Sequence, residues 1–148
     1  MRVQNADVFK SILVPIDEHE SPDELLRIVG DLAKAFNSQV TVLHLRERRV
    51  TVTTTIEGET IRQATDFTQS IVDRLAADGI EASGQVDSVR PDYIGPRILE
   101  AANDVFADLI VVGGHHHDTV KERLLGDLGK TLAHGATCPV LMMPSIGM

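Results

Sequence analysis

Aromatic residues are scarce: the 148 residues hold no tryptophan, one tyrosine and four phenylalanines. Platforms for single-stranded nucleic acid rely on aromatic faces that stack on bases, so that class of function is disfavoured. Basic residues are also in deficit. Lys and Arg number 14 against 22 Asp and Glu, giving a net charge of −8. A surface of that sign repels phosphate backbones and anionic lipid, so neither nucleic acid nor a membrane is an expected partner. The single cysteine, Cys138, has no partner for an internal disulfide, which fits a reducing compartment. Its apolar neighbours favour a packed, inert thiol over a reactive one. No apolar run approaches the ~20 residues that a membrane helix needs. Met1 to Lys10 carries no apolar secretory core, so a cytoplasmic location is expected.

What is present suits one domain over residues 1–148. Hydrophobic residues make up 43% and charged residues 24%, ordinary values for a chain that buries a real core. Ser11 to Ile16 is a strand-like apolar run that delivers Asp17 at its carboxyl end. Ser21-Pro22-Asp23-Glu24 reads as a helix start, with Ser21 as cap and Glu24 completing a capping box. Leu25, Leu26, Ile28, Val29, Leu32, Ala33 and Phe36 then recur at helical spacing, and Asn37-Ser38 ends the helix. Val40 to Leu45 is a second strand. Arg46 to Glu59 reads as an exposed, partly extended connection. A helix from about Glu59 to Ala77 is closed by Asp78-Gly79. Ile80 to Val89 reads as a polar-flecked strand near a sheet edge. Tyr93 to Phe106 is a helix with Pro96 in its first turn. Asp108 to Gly113 is a buried strand, Asp127 to Ala136 a helix that Asp127 can cap, and Pro139 to Met143 the last strand. Regular alternation of strand and helix implies an α/β fold, a parallel sheet with helices on both faces. Ligands in such folds bind beyond the carboxyl ends of the strands, where strand order reverses.

Four stretches stand out: Ile12-Leu13-Val14-Pro15-Ile16-Asp17, Val40-Thr41-Val42-Leu43-His44-Leu45, Ala107-Asp108-Leu109-Ile110-Val111-Val112-Gly113 and Cys138-Pro139-Val140-Leu141. Through them the chain resembles the universal stress protein domain family. The resemblance implies a five-stranded parallel sheet in order 3-2-1-4-5, an adenine-nucleotide alpha-hydrolase-like, Rossmann-like sandwich. It also implies a homodimer through the last strand, Val140 to Met143, where Leu141, Met142 and Met143 make an apolar edge.

Some members of that family bind ATP through Gly, two residues, Gly, nine residues, then Gly with Ser or Thr. Here those places hold Gly113, His116, Gly126 and Asp127. On the adenine side the resemblance implies Asp17, with Pro15 and Ile16, and Val40 as a contact to the base. Val112, His115 and Leu128 flank the phosphate loop. Two replacements matter physically. Histidine in a left-handed glycine position costs roughly 1–2 kcal/mol. Asp127 caps a helix as well as serine does, but beside a phosphate it sets charge against charge. At ~4 Å and an effective dielectric of about 20 the repulsion is on the order of 4 kcal/mol, about a thousandfold in affinity. A magnesium ion could bridge the two. ATP is therefore a possible cofactor, but tight binding is not expected.

Other features have bland readings. Adjacent histidines His115, His116 and His117 point in different directions and lack a Cys/His partner motif, which favours a solvated loop over a metal site. Arg46-Glu47-Arg48-Arg49 reads as a solvated loop rather than a phosphate or partner contact. Asp17 is balanced between capping a loop and touching a ligand. His44 belongs to core or rim. No Walker motif, nucleophile elbow or dinucleotide fingerprint occurs, and no catalytic set is expected. The favoured reading is a regulatory or binding module of the stress response that works as a homodimer without tight ATP binding. The alternatives are an ATP- or AMP-binding protein with weak ATPase activity, and a metal-responsive protein using His115 to His117.

Overall fold

The computed structural model describes residues 8–17, 22–50, 55–57, 60–113 and 128–143. Strand β1 (Ser11–Ile16) is followed by α1 (Asp23–Phe36), β2 (Gln39–Val50), a short β3 (Thr55–Glu57), α2 (Ile61–Ala77) and β4 (Glu81–Val89). A 3-10 turn (Pro91–Tyr93), α3 (Ile94–Asp104) and β5 (Leu109–Val112) come next. Helix α4 covers 128–135, and β6 (Val140–Met142) closes the series.

The parallel ladder runs β4-β2-β1-β5-β6. Counted in chain order, its five parallel strands stand as 3-2-1-4-5, as expected. Alternation along each strand divides the core into two layers. Ile12, Val14 and Ile16 face α1 and α2, where Leu25, Val29, Ile71 and Leu75 pack. Leu13, Leu43, Ile110 and Val112 face α3 and α4, where Ile98, Ala101 and Leu132 pack. Each fully buried aliphatic side chain contributes about 1.5–3 kcal/mol. A central strand covered on both faces must therefore be apolar throughout, and all of Leu109–Val112 is buried.

Helix ends follow local chemistry. Thr60 caps α2: its Oγ1 accepts from the Gln63 backbone N–H, and the Gln63 side chain accepts from the Thr60 N–H. This Thr-x-x-Gln box shifts the start of the helix two places beyond the expected Glu59. The expected capping box at α1 pairs Ser21 with Glu24. Pro22 occupies the cap position without a side-chain bond, Glu24 pairs forward with Arg27, and Ser21 lies outside the described residues.

Of the connection expected over Arg46 to Glu59, residues 51–54 and 58–59 lie outside the described residues, and Arg46 to Val50 departs most from expectation. Strand β2 does not stop at Leu45 but continues to Val50, because β4 pairs with it as far as Glu47. Beyond that, β3 pairs antiparallel with Arg48 to Val50. Arg46, expected in a solvated loop, is a strand residue only 6% exposed.

Candidate functional site

Strand β1 pairs with β2 on one side and β5 on the other, both parallel, so strand order reverses at its carboxyl end. Ile16 stands level with His44 of β2. The β1–β5 register sets Leu13 beside Ile110. Continued three places, it brings Gly113 level with Ile16. The expected rim is thus assembled: Pro15 and Asp17 half-buried, Ile16, Val112 and Gly113 buried. The chains leaving β1 and β5 lead to helices on opposite faces of the sheet, the setting in which such folds place a ligand crevice.

Val40 does not reach the rim. It stands level with Ile12, 1% exposed in the layer under α1 and α2. At 3.3 Å per residue it lies ~13 Å below the His44 level. The β2 residue beside Asp17 is Leu45, which is half-buried and packs toward α3 and α4. The resemblance passed over Leu45, although strand alternation puts it on the same face as Leu13 and Leu43. Leu128 opens the described part of α4 and packs against the same layer. His115, His116, His117, Gly126 and Asp127 lie outside the described residues, and with them the expected phosphate loop, the Asp127 cap and the histidine run. Among the described residues no group of three or more His, Cys, Asp or Glu could hold a metal ion.

His44 lies beneath the rim and is 1% exposed. Its Nδ1–H donates to the carbonyl of Ile16 at 2.8 Å. The ring meets Phe67 of α2 edge to face, with centroids 5.2 Å apart.

A shallow hollow of about 450 Å³ opens at the carboxyl end of β4, lined by Arg48, Asp87, Val89, Arg90, Tyr93 and Arg97 among others. The expected site did not include it. Most of its charges pair with one another. The Arg97 Nε–H donates to Asp87 at 2.6 Å, Arg90 pairs with Asp92 at 3.4 Å, and the Tyr93 hydroxyl donates to Glu100. The Arg97 hydrogen bond holds the Asp87 carboxyl below the usual range, while partial burial pushes the other way. The bond to Glu100 raises the Tyr93 phenol. A wall neutralised in this way offers hydrogen bonds but little net field. At the rim itself, a carboxylate beside a glycine turn can accept bonds from the hydroxyl or amine donors of a small polar ligand.

Cys138 is half-buried, and burial, helped by Asp108, pushes its thiol up. Among the described residues no helix is long and apolar enough to cross a membrane.

Known proteins share this arrangement. The Universal stress protein family model matches residues 9–144. Universal stress protein YxiE of Bacillus subtilis is 24% identical over 150 residues, covering 92% of this chain and 99% of the relative. The universal stress protein from Archaeoglobus fulgidus in complex with dAMP superposes with a TM-score of 0.65 at 20% identity, covering 91% of this chain and 98% of that one. A universal stress protein in complex with cAMP gives a TM-score of 0.68 at 21% identity, covering 93% and 98%. At these identities the structural likeness establishes the fold, the five-stranded parallel sandwich. The match over residues 9–144 settles the family: the chain belongs to the universal stress proteins.

Proposed function

We propose that this universal stress protein acts in the stress response as a cytoplasmic binding module without tight ATP binding. The observation that supports the reading is the parallel pairing of β1 with β5, the strands that lead to Asp17 and Gly113, where strand order reverses. That rim suits the base-and-sugar half of an adenine nucleotide. The dAMP and cAMP complexes of similarly folded proteins point to the same class of ligand. In the sequence, the polyphosphate half carries His116 and Asp127 in place of a glycine and a hydroxyl. Monophosphates therefore suit the site better than ATP, because their shorter anion need not lie beside the Asp127 carboxylate.

Calorimetric titration with AMP, cAMP and Mg-ATP tests this. The expected order places AMP or cAMP ahead of ATP, and micromolar Mg-ATP binding overturns it. His116→Gly with Asp127→Ser is expected to raise ATP affinity. The described half of the rim also favours a second reading, ATP binding with slow hydrolysis. Phosphate release above the uncatalysed rate would support it.

The same module is proposed to work as a homodimer through the edge at β6. Among the described residues β6 pairs only with β5, and its Leu141 and Met142 are 40% and 44% exposed. An edge strand with apolar side chains and open backbone groups invites a second strand.

A further inference from the structure

The buried ring of His44 is unused by the reading above. Packing alone does not call for histidine there. A leucine or phenylalanine would fill the space against Phe67 without burying a polar ring. The ring spends its Nδ1 on one particular atom, the carbonyl oxygen of Ile16, at 2.8 Å. A carbonyl only accepts, so Nδ1 carries the proton and the tautomer is fixed by the bond. The ring is 1% exposed and Ile16 is 5% exposed, so water competes poorly for that oxygen. The oxygen belongs to the peptide that joins Ile16 to Asp17. A peptide is planar and trans, so fixing its oxygen also fixes the Asp17 N–H on the opposite side. On the ring's other side, the edge-to-face contact with Phe67 limits its rotation. A side chain of β2 thus sets the direction in which the chain leaves β1.

We propose that His44 is the positioning residue of the rim: its Nδ1–H clamps the Ile16–Asp17 peptide and so sets the Asp17 carboxylate for its ligand. The proposal rests on the reading of Asp17 as a ligand contact, and its test separates the two.

The test compares the full chain with three variants. His44→Asn keeps a donor one bond from Cγ, where Nδ1 stood. His44→Gln moves the donor one bond outward, and His44→Phe keeps a ring without a donor. In the ligand-free protein, long-range proton–nitrogen correlation reads the His44 tautomer, and the backbone spectrum reads the Asp17 amide. AMP is the titrated probe. The Nδ1–H tautomer is expected. The Asn variant is expected to keep the Asp17 amide in place. The Gln and Phe variants are expected to move it and to weaken AMP by about tenfold, the upper end for one neutral hydrogen bond. An Nε2–H tautomer overturns the proposal, as does a Phe variant that leaves the Asp17 amide unmoved, or an Asn variant that shifts it as far as Phe does. Absence of AMP binding by the wild type removes the nucleotide reading. The tautomer and the amide then decide the clamp by themselves.

Discussion

Gly95 of α3 and Thr131 of α4 stand so close that a Cβ on Gly95 would lie 2.6 Å from the Thr131 methyl carbon and 3.0 Å from its Cβ. The two helices meet there without room for a methyl group. Gly95→Ala gains roughly 0.5–1 kcal/mol of helix propensity but forces overpacking that costs about 1–3 kcal/mol. The net expectation is a loss of ~1 kcal/mol, or about 2–4 °C in Tm for a domain of this size. Thermal unfolding followed by circular dichroism checks it. Thr131→Ser, which removes the nearer atom, is expected to recover part of the loss.

Asp108 ties the start of β5 to the start of β1. Its two carboxylate oxygens accept from the backbone N–H groups of Lys10, at 2.9 Å, and Ser11, at 3.0 Å. Asp108→Ala leaves both partly buried donors without their acceptor and is expected to cost about 1–3 kcal/mol in urea denaturation. Asp108→Asn keeps one acceptor and should fall between.

Asp87 supplies a pH-dependent element. Its carboxyl is lowered in the folded protein, first of all by the Arg97 hydrogen bond. A depressed carboxyl contributes stability that is present above the unfolded value, ~3.9, and is lost as pH falls through the folded one. The side chain is 43% exposed, so solvent screening holds the contribution to roughly 1 kcal/mol or less. The difference in stability between wild type and Asp87→Asn is therefore expected to stay constant from neutral pH down to about pH 5 and to shrink below about pH 4. A difference that grows on acidification would contradict the assignment.

Three helices end in the same wrapped turn, each with a left-handed residue: Asn37, Gly79 and Phe106, at φ 56°, 81° and 53°. In each case the next N–H reaches back to a carbonyl five places earlier: Ser38 to Ala33, Ile80 to Leu75, Ala107 to Ala102. Glycine and asparagine tolerate that conformation, whereas an L side chain such as phenylalanine strains in it. Phe106 is also 87% exposed, so its ring offsets little of the cost. Phe106→Gly is expected to stabilise the protein by up to ~1 kcal/mol, seen as a higher urea midpoint with an unchanged slope.

The proposed dimer edge has its own test. Leu141→Arg at β6 places a charge at the centre of the apolar strand. Light scattering is expected to give a dimer for the wild type and a monomer for the variant, with the fold kept by circular dichroism.

These same elements show what could be read from the chain alone. Strand and helix order was legible because core-facing residues repeat at spacings of two or about 3.6. The ends of α1 and α2 were legible because Asn37-Ser38 and Asp78-Gly79 carry turn chemistry. The end of α3 was not, since nothing about phenylalanine announces a left-handed turn. Arg46 was misplaced because local charge reads as a loop, while the ladder to β4 that keeps β2 extended is a contact 42 residues away. At the rim, Asp17 and Gly113 followed from strand ends. Val40 failed because which rung of β2 faces the crevice is decided by the register against β1, and Ile12↔Val40 is a fact of pairing, not of composition.

The overshoot of β2 has an evolutionary side. Neighbouring β1 grips it only from Gln39 to His44, and β4 only as far as Glu47. Among the described residues its final rungs, Arg48 to Val50, are laddered only to β3. Among the described residues the β2 members of both hydrophobic layers end at Leu45. Changes of length or charge at the tip therefore fall first on the β2–β3 ladder, while the inherited sandwich keeps its own pairing.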